Sequence, residues 1–347
     1  MQKNNKLKIK NTCIICDFDP FVGFGHYYRS LVLYKELKFQ KLRPFFLFNK
    51  KKKKFISPYI KNIKIEFFEK NFSKNSEKII KFLEQKKVNL VIIDSYKLNY
   101  NFEKKIRNNF FSVSIDDKLN NHSTNLVFNS RLDQNLKEYE NKSSRWYFGK
   151  DFVLFNRAQK KKVKSNYLKK ILIHAGGADS YLKNYEFFYN TFSFLKNKKV
   201  KIDILCSNTK IKSKLIKDWS IFKKKQCDVN LINFDLKLRN NLKSYDLVIG
   251  PAGNITYESM SAGTMPLSFP LTNDYRDSMM TWNLFGNFLH LSFDESKNKK
   301  IIREVLNFIF TEFKNLIKNF NILTHNFSSG EKNIITQIKK NILKKKK

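Results

Sequence analysis

Short apolar runs alternate with amphipathic segments along the first third of the chain. The runs have the length of buried parallel strands, and the segments between them carry apolar residues at helical spacing. The predicted strands are 12–16, 45–48, 63–68, 88–93 and 111–115, and the predicted helices begin near 26 and cover 77–85 and 101–108. Strands that alternate with helices indicate a parallel, doubly wound α/β sheet.

The same alternation returns in the second half of the chain. The predicted strands are 170–174, 200–206, 229–231 and 246–250, and a helix begins near 255 and ends at Gly263. Residues 129–165 have weak periodicity and many charges, so the pattern predicts an interdomain linker there. The sequence therefore predicts two α/β domains, over 1–160 and 166–325, and a basic C-terminal tail over 326–347.

The composition agrees with two folded domains, since 347 residues can form two sizeable cores. The formal net charge is +38, from 68 Lys and Arg against 30 Asp and Glu. Lysine supplies almost all of this excess, and Asn, Ile and Phe are also frequent, which is typical of an A+T-rich coding sequence. We interpret the lysine runs as solvated surface and expect no nucleic-acid partner, although a basic nucleic-acid-binding protein without catalysis is a rival hypothesis.

The four cysteines are too few and too scattered for a disulfide framework, which favours a reducing compartment. Cys13 and Cys16 form a C-x-x-C inside a strand pattern, so their side chains point to opposite faces and we expect both in the core. The sequence contains no 18-residue apolar span and no signal-peptide pattern. We therefore expect a cytoplasmic monomer without stable membrane insertion.

The loop from Asp19 to His26 joins the first strand to the first helix and contains a Gly-x-Gly-His motif. Gly23 and Gly25 lack a Cβ, so the backbone can pass close to a bound group, and the amides of a helix start suit an anion or a sugar oxygen. His26 can then face the ligand, although a structural cap is an equal alternative. The motif matches neither the dinucleotide fingerprint nor a phosphate-binding P-loop.

Other polar residues follow the predicted strands at their carboxyl ends, where ligands bind in parallel α/β sheets. In the first half these residues are Asp94, Ser95, Tyr96, Asp116 and Asp117.

In the second half, glycine turns follow two strands, and the second turn leads into a helix whose dipole favours a diphosphate, by about 0.3–1 kcal/mol per exposed charged contact. Glu258, on the first turn of that helix, could accept hydrogen bonds from vicinal ribose hydroxyls, or could simply complement the helix dipole. Simple βα turns are an equal alternative for the glycines. The candidate ligand contacts are Gly176, Gly177, Gly253, Asn254, Ile255, Thr256 and Glu258.

Together these motifs resemble the glycosyltransferase-B architecture, in which two Rossmann-like domains enclose an interdomain cleft. Within it, the chain is similar to the UDP-2,4-diacetamido-2,4,6-trideoxy-β-L-altropyranose hydrolases of pseudaminic acid biosynthesis and to their spore-coat polysaccharide relatives. The similar segments are 19–33, with Gly23, Gly25, His26 and Arg29, and 92–96, 115–117, 128–129, 147–155, 176–179 and 246–266. The chain departs from the family after Pro270, where Asn273-Asp274-Tyr275 replaces the usual Asn-Gln pair, and this difference bears on which sugar is bound.

The resemblance implies that water attacks the anomeric carbon of a UDP-activated diacetamido-trideoxy sugar and that UDP leaves. His26 is then the general base, Tyr96 and Asp94 line the sugar side unless they are structural, and Asn273 belongs to the substrate contacts. No metal or other cofactor is required. The main alternative is a glycosyltransferase of the same fold that moves the sugar from a UDP-sugar to a carbohydrate or lipid acceptor.

Overall fold

The described part of the chain forms two compact units, Met1–Leu154 with Ser328–Lys347, and Phe155–Phe327. The structure is a computed structural model. It describes residues 11–18, 25–53, 62–69, 71–117, 120–130, 143–157, 166–176, 185–205, 213, 216–217, 220, 226–232, 241–270, 289–323 and 329–344.

The described residues of the first unit contain a seven-stranded parallel sheet with strand order β3-β2-β1-β4-β5-β6-β7. Its strands are β1 (Asn11–Cys16), β2 (Arg43–Asn49), β3 (Ile65–Phe68), β4 (Val88–Asp94), β5 (Phe111–Asp116), β6 (Leu126–Asn129) and β7 (Arg145–Phe148). The helices that follow β1, β3 and β4 are α1 (Gly25–Phe39), α2 (Ser76–Gln85) and α3 (Tyr100–Asn109).

The core of this unit lies where the central strands meet α2 and α3. Both Cys13 and Cys16 are buried in β1, as the strand pattern predicted. Ile79 and Leu83 stand one turn apart on α2 and pack against the β1 and β4 side chains, because residues four apart share a helix face. Strand β1 pairs with β4 up to Cys16 and Asp94, which brings the carboxyl ends of both strands to one edge.

The described residues of the second unit contain a six-stranded parallel sheet with strand order β10-β9-β8-β11-β12-β13. Its strands are β8 (Lys170–His174), β9 (Lys201–Leu205), β10 (Asp228–Ile232), β11 (Leu247–Pro251), β12 (Met265–Phe269) and β13 (Leu289–His290). Its helices are α4 (Tyr185–Leu195), α5 (Asn254–Ala262) and α6 (Lys299–Leu323). Gly263 ends α5 as predicted, with a φ of 74° that glycine adopts without strain.

Two segments differ from the predicted organisation. Strand β7 lies inside the stretch 129–165 that the pattern predicted as a linker, and it pairs with β6 as part of the first sheet. The chain passes from one unit to the other at Leu154 and Phe155.

The predicted basic tail forms a helix of the first unit, α7 (Gly330–Lys344). An added Cβ on Gly330 would lie 2.1 Å from the carbonyl oxygen of Val153, so the helix begins where only glycine fits. Asn341 Nδ2 donates to Tyr147 Oη at 2.9 Å. The buried apolar stripe of this helix consists of Ile334, Ile335, Ile338 and Ile342. None of the described helices is long and apolar enough to cross a membrane.

Candidate active site

Polar side chains converge at the carboxyl edge of the first sheet, beyond the adjacent strands β1, β4 and β5. The apolar run of β4 ends at Asp94. Three residues from the first turns of α1 lie at hydrogen-bond distance from its carboxylate. These are His26, Arg29 and Ser30, which stand at positions i, i+3 and i+4 and therefore share one face of the helix. The structure thus brings together His26 and Asp94, two of the predicted catalytic residues.

Asp94 is fully buried, with 0% of its surface exposed. Its Oδ1 lies 2.5 Å from His26 Nδ1, and Ser30 Oγ donates to its Oδ2 at 3.0 Å. Burial would raise the pKa of Asp94, but the guanidinium charge of Arg29 and the hydrogen bonds from Arg29 and His26 hold that pKa well below its usual range. Because the carboxylate is ionised, the hydrogen bond requires the proton on His26 Nδ1, and a neutral imidazole then carries its lone pair on Nε2.

Arg29 bridges two carboxylates at this edge. Its Nε donates to Asp94 Oδ2 at 2.8 Å and its Nη2 to Asp94 Oδ1 at 2.5 Å, while Nη1 donates to Asp117 Oδ2. The guanidinium is 12% exposed. Burial would lower the pKa of Arg29, but the carboxylates of Asp117 and Asp94 raise it above its usual range. Five N–H donors in a fixed plane suit such a double contact.

Tyr96, the third predicted catalytic residue, lies in the same cluster. Its Oη donates to Asp117 Oδ1 at 2.5 Å, and its ring meets the His26 imidazole edge-on with centroids 4.3 Å apart. Burial would raise the pKa of Asp117, but Arg29, His26 and Tyr96 lower it. The backbone N–H of Tyr96 donates to Asp17 Oδ2 at 2.8 Å, which holds the turn after β4.

The cluster also contains residues for which the sequence predicted no function. Asp94 is fully buried, with His26, Arg29 and Ser30 at hydrogen-bond distance from its carboxylate, and its place on the sugar side stays a prediction. Arg29 appeared in the motif and Asp117 at a strand end, but neither had a predicted function. The helical spacing from His26 to Arg29 was the available signal for Arg29. Asp17, which follows β1, was not predicted.

Asp116 belongs to a second buried cluster beside the first. His122 Nδ1 lies 2.8 Å from Glu103 Oε1, and its Nε2 lies 3.5 Å from Asp116 Oδ1, an ion-pair distance rather than a good hydrogen bond. Ser123 N donates to Glu103 Oε2 at 2.7 Å, which ties the loop before β6 to α3. Burial would lower the pKa of His122, but Asp116 and Glu103 raise it to about 9.

The predicted nucleotide contacts lie at the carboxyl ends of β8 and β11, which are adjacent in the second sheet. Gly176 follows β8 with a φ of 78°, and Gly253 precedes α5. The Thr256 hydroxyl accepts the Gly253 N–H at 3.2 Å, and the Thr256 amide donates to Gly253 O at 3.0 Å, so both groups cap the helix. Asn254 and Ile255 are partly exposed on the first turn.

Two buried side chains mark this half of the molecule. Glu258, the predicted partner of the ribose hydroxyls, is 1% exposed, and that contact stays a prediction. His174, at the end of β8, lies so close to Gly250 that a Cβ there would be 2.4 Å from its Nε2. Burial lowers the pKa of His174 to about 4, so its imidazole is neutral. Three other predicted contacts, Gly23, Gly177 and Asn273, lie outside the described residues.

Comparison with known proteins finds the fold but no family. No family model and no curated protein matches the chain. MurG of Acinetobacter baumannii is 13% identical, with a TM-score of 0.68 over 95% of this chain and 99% of that one. A glycosyltransferase from Rickettsia africae is 14% identical, with a TM-score of 0.69 over 96% of this chain and 99% of that one. MnaA of S. aureus, solved with UDP, is 15% identical, with a TM-score of 0.67 over 95% and 96%.

Identities this low carry the fold alone. The chain has the two parallel-sheet, Rossmann-like α/β domains of these solved structures, which confirms the predicted fold class.

Proposed function

We propose that the chain is an enzyme acting on a UDP-sugar, and that it hydrolyses a UDP-activated 2,4-diacetamido-2,4,6-trideoxy sugar to the free sugar and UDP. The fold shared with glycosyltransferases and with the UDP complex of MnaA supports the substrate class. The motif resemblance to the pseudaminic acid pathway hydrolases supports the finer assignment.

The hydrogen bond between His26 and the buried, ionised Asp94 is the observation that carries this proposal. A neutral imidazole with its proton on Nδ1 can act as a general base through Nε2, which contributes about 10² to 10⁴-fold. His26 takes a proton from water as the water oxygen bonds to the anomeric carbon. The bond from that carbon to the diphosphate oxygen breaks, and its electron pair leaves with UDP. The imidazolium then returns the proton to solvent.

Binding of UDP is proposed for the second unit. The first turn of α5, with Gly253, Asn254 and Ile255, offers the positive end of a helix dipole, and Gly176 follows the neighbouring strand. Thr256 supports this turn by capping it. Charge on the leaving diphosphate is stabilised by these groups without a metal.

A glycosyltransferase is the second candidate, and the likeness to MurG and to the Rickettsia africae glycosyltransferase favours it as much. The same His26 base would take the proton of an acceptor hydroxyl instead of a water proton. The two candidates differ only in the nucleophile.

The test is UDP release from a panel of UDP-diacetamido-trideoxy sugars, with and without carbohydrate or lipid acceptors, with the free sugar followed by NMR. Free sugar and UDP without an acceptor support the hydrolase, whereas UDP that forms only with an acceptor supports the transferase. Absence of both turnover and UDP binding refutes the assignment.

His26→Asn is the matching variant. It should bind UDP with an unchanged Kd and lose turnover by about 10²-fold or more, and an unchanged urea midpoint serves as its folding control. A parallel loss of UDP affinity would contradict the role of His26 as a base.

A further inference from the structure

The imidazole of His26 lies against two groups of opposite charge. Asp94 Oδ1 lies 2.5 Å from Nδ1, and Arg29 Nη2 lies 3.1 Å from the same nitrogen. The first charge favours a second proton on the ring, and the second charge opposes it. The charged and titratable groups around His26, from α1 and from the ends of β1, β4 and β5, are Asp17, Arg29, Asp94, Tyr96 and Asp117.

A general base must be unprotonated before it can accept a proton. A buried carboxylate that lies at hydrogen-bond distance from an imidazole, and that no cation compensates, favours the protonated form of the ring. Asp94 is not uncompensated, since both of its oxygens accept hydrogen bonds from Arg29. Asp117 in turn offsets part of the guanidinium charge. These three charges therefore act together on protonation of the imidazole.

We propose that Arg29 is the positioning residue for His26, because it compensates the charge of Asp94 and places a cation beside Nδ1 that opposes a second proton on the imidazole. The proposal rests on the proposed function of His26. The fork of Arg29 also fixes the Asp94 oxygen that accepts from Nδ1, and so selects the tautomer whose lone pair is on Nε2. A lysine could supply the charge, but its three N–H donors share one nitrogen. They cannot reproduce the planar fork with which Arg29 reaches both carboxylates.

The charge balance predicts shifts of opposite sign for two variants. Arg29→Gln leaves Asp94 and Asp117 without their cation, so the imidazole should take its second proton at a pH at least one unit higher, a tenfold change in proton affinity. Asp117→Asn removes one anion and leaves Arg29 less compensated, so the same midpoint should fall. Arg29→Lys should lie between wild type and Arg29→Gln.

The measurement is a pH titration of the histidine imidazoles in the full-length protein by ¹H–¹⁵N NMR, which reports protonation and tautomer without any substrate. The signal of His26 is identified by its loss in His26→Asn. Arg107→Gln is the matched control, because the Arg107 guanidinium donates to the carbonyl oxygen of Ser143 rather than to a carboxylate. The control should leave the His26 titration unchanged.

Shifts of equal sign, or no shift, in Arg29→Gln and Asp117→Asn would overturn the proposal. If Arg29→Gln does not fold, Asp117→Asn still decides the sign, since the Asp117 side chain is 27% exposed and tolerates the change better. The acid limb of kcat/KM should follow the NMR midpoint in each variant. Opposite NMR shifts in a protein that never turns over UDP-sugars would refute the proposed function and leave the role of Arg29 intact.

Discussion

Alkaline pH should destabilise the first unit through the buried histidine of the second cluster. His122 has a pKa raised from 6.5 to about 9, because the carboxylates of Asp116 and Glu103 more than offset the effect of burial. Its folded pKa lies above its unfolded pKa, so its contribution is complete below about pH 6.5 and is lost as the pH rises to about 9. At about 1.4 kcal/mol per pKa unit, the contribution is about 3 kcal/mol.

The assay is urea unfolding of the wild type and of His122→Gln at a series of pH values from about 6 to 9.5. Trp146 lies edge-on to His122 with ring centroids 5.6 Å apart, so tryptophan fluorescence should report this region. The variant should be less stable by about 3 kcal/mol at low pH, and the two proteins should converge at the alkaline end.

His290→Gln is the control for this experiment. Burial lowers the pKa of His290 to about 4, so its removal should leave the alkaline dependence unchanged. If wild type and His122→Gln lose stability in parallel between neutral and alkaline pH, the doubly paired histidinium is not the cause and the reasoning fails.

The second unit should lose stability in acid instead. In the first unit, close packing around Gly330 should make substitution there destabilising. His174 and His290, whose pKa values burial lowers to about 4, contribute stability above about pH 6.5 that is lost as the pH falls, so His174→Asn should flatten the acid limb of thermal unfolding. Gly330→Ala would place a Cβ 2.1 Å from Val153 O and should cost about 1–3 kcal/mol in urea unfolding, whereas Gly253→Ala meets nothing within 4 Å and should cost less.

The sheets were largely predictable because their strands are continuous apolar runs. Strand β4 and strand β11 are buried on both faces, so nearly every residue in them is apolar and the pattern stands out from single-sequence information. The glycine at 263 marked a helix end because only glycine adopts its left-handed backbone at little cost.

Strand β7, and the unit to which helix α7 belongs, were harder to predict for a physical reason. Strand β7 pairs with one neighbour and is partly exposed, and its four residues Arg145–Phe148 lie within a charged stretch. In α7, the isoleucines stand at helical spacing, which indicates an amphipathic helix. Which unit such a helix covers depends on tertiary contacts, here with Val153 and Tyr147, that periodicity does not encode.

The candidate site was predictable in location and less so in roles. The rule that ligands bind beyond parallel strands brought attention to His26, Asp94 and Tyr96, and the structure brings these three side chains into one cluster. The bridging role of Arg29 depends on two carboxylates that are 65 and 88 residues away in sequence. Pairings over such separations follow from sheet order, which the sequence pattern left open.

The carboxyl end of β5 supplies side chains to two different clusters. Asp116 is the last residue of the strand and Asp117 follows it, and the two carboxylates have different partners. Asp116 faces His122, where the two anions and the histidinium bind the loop before β6 to α3. Asp117 instead accepts hydrogen bonds from Arg29 and Tyr96. Arg29 also donates to Asp94, so one guanidinium compensates two carboxylates there. A pair of adjacent aspartates therefore supplies one carboxylate to a fixed ion cluster and one to the group of charges that surrounds His26.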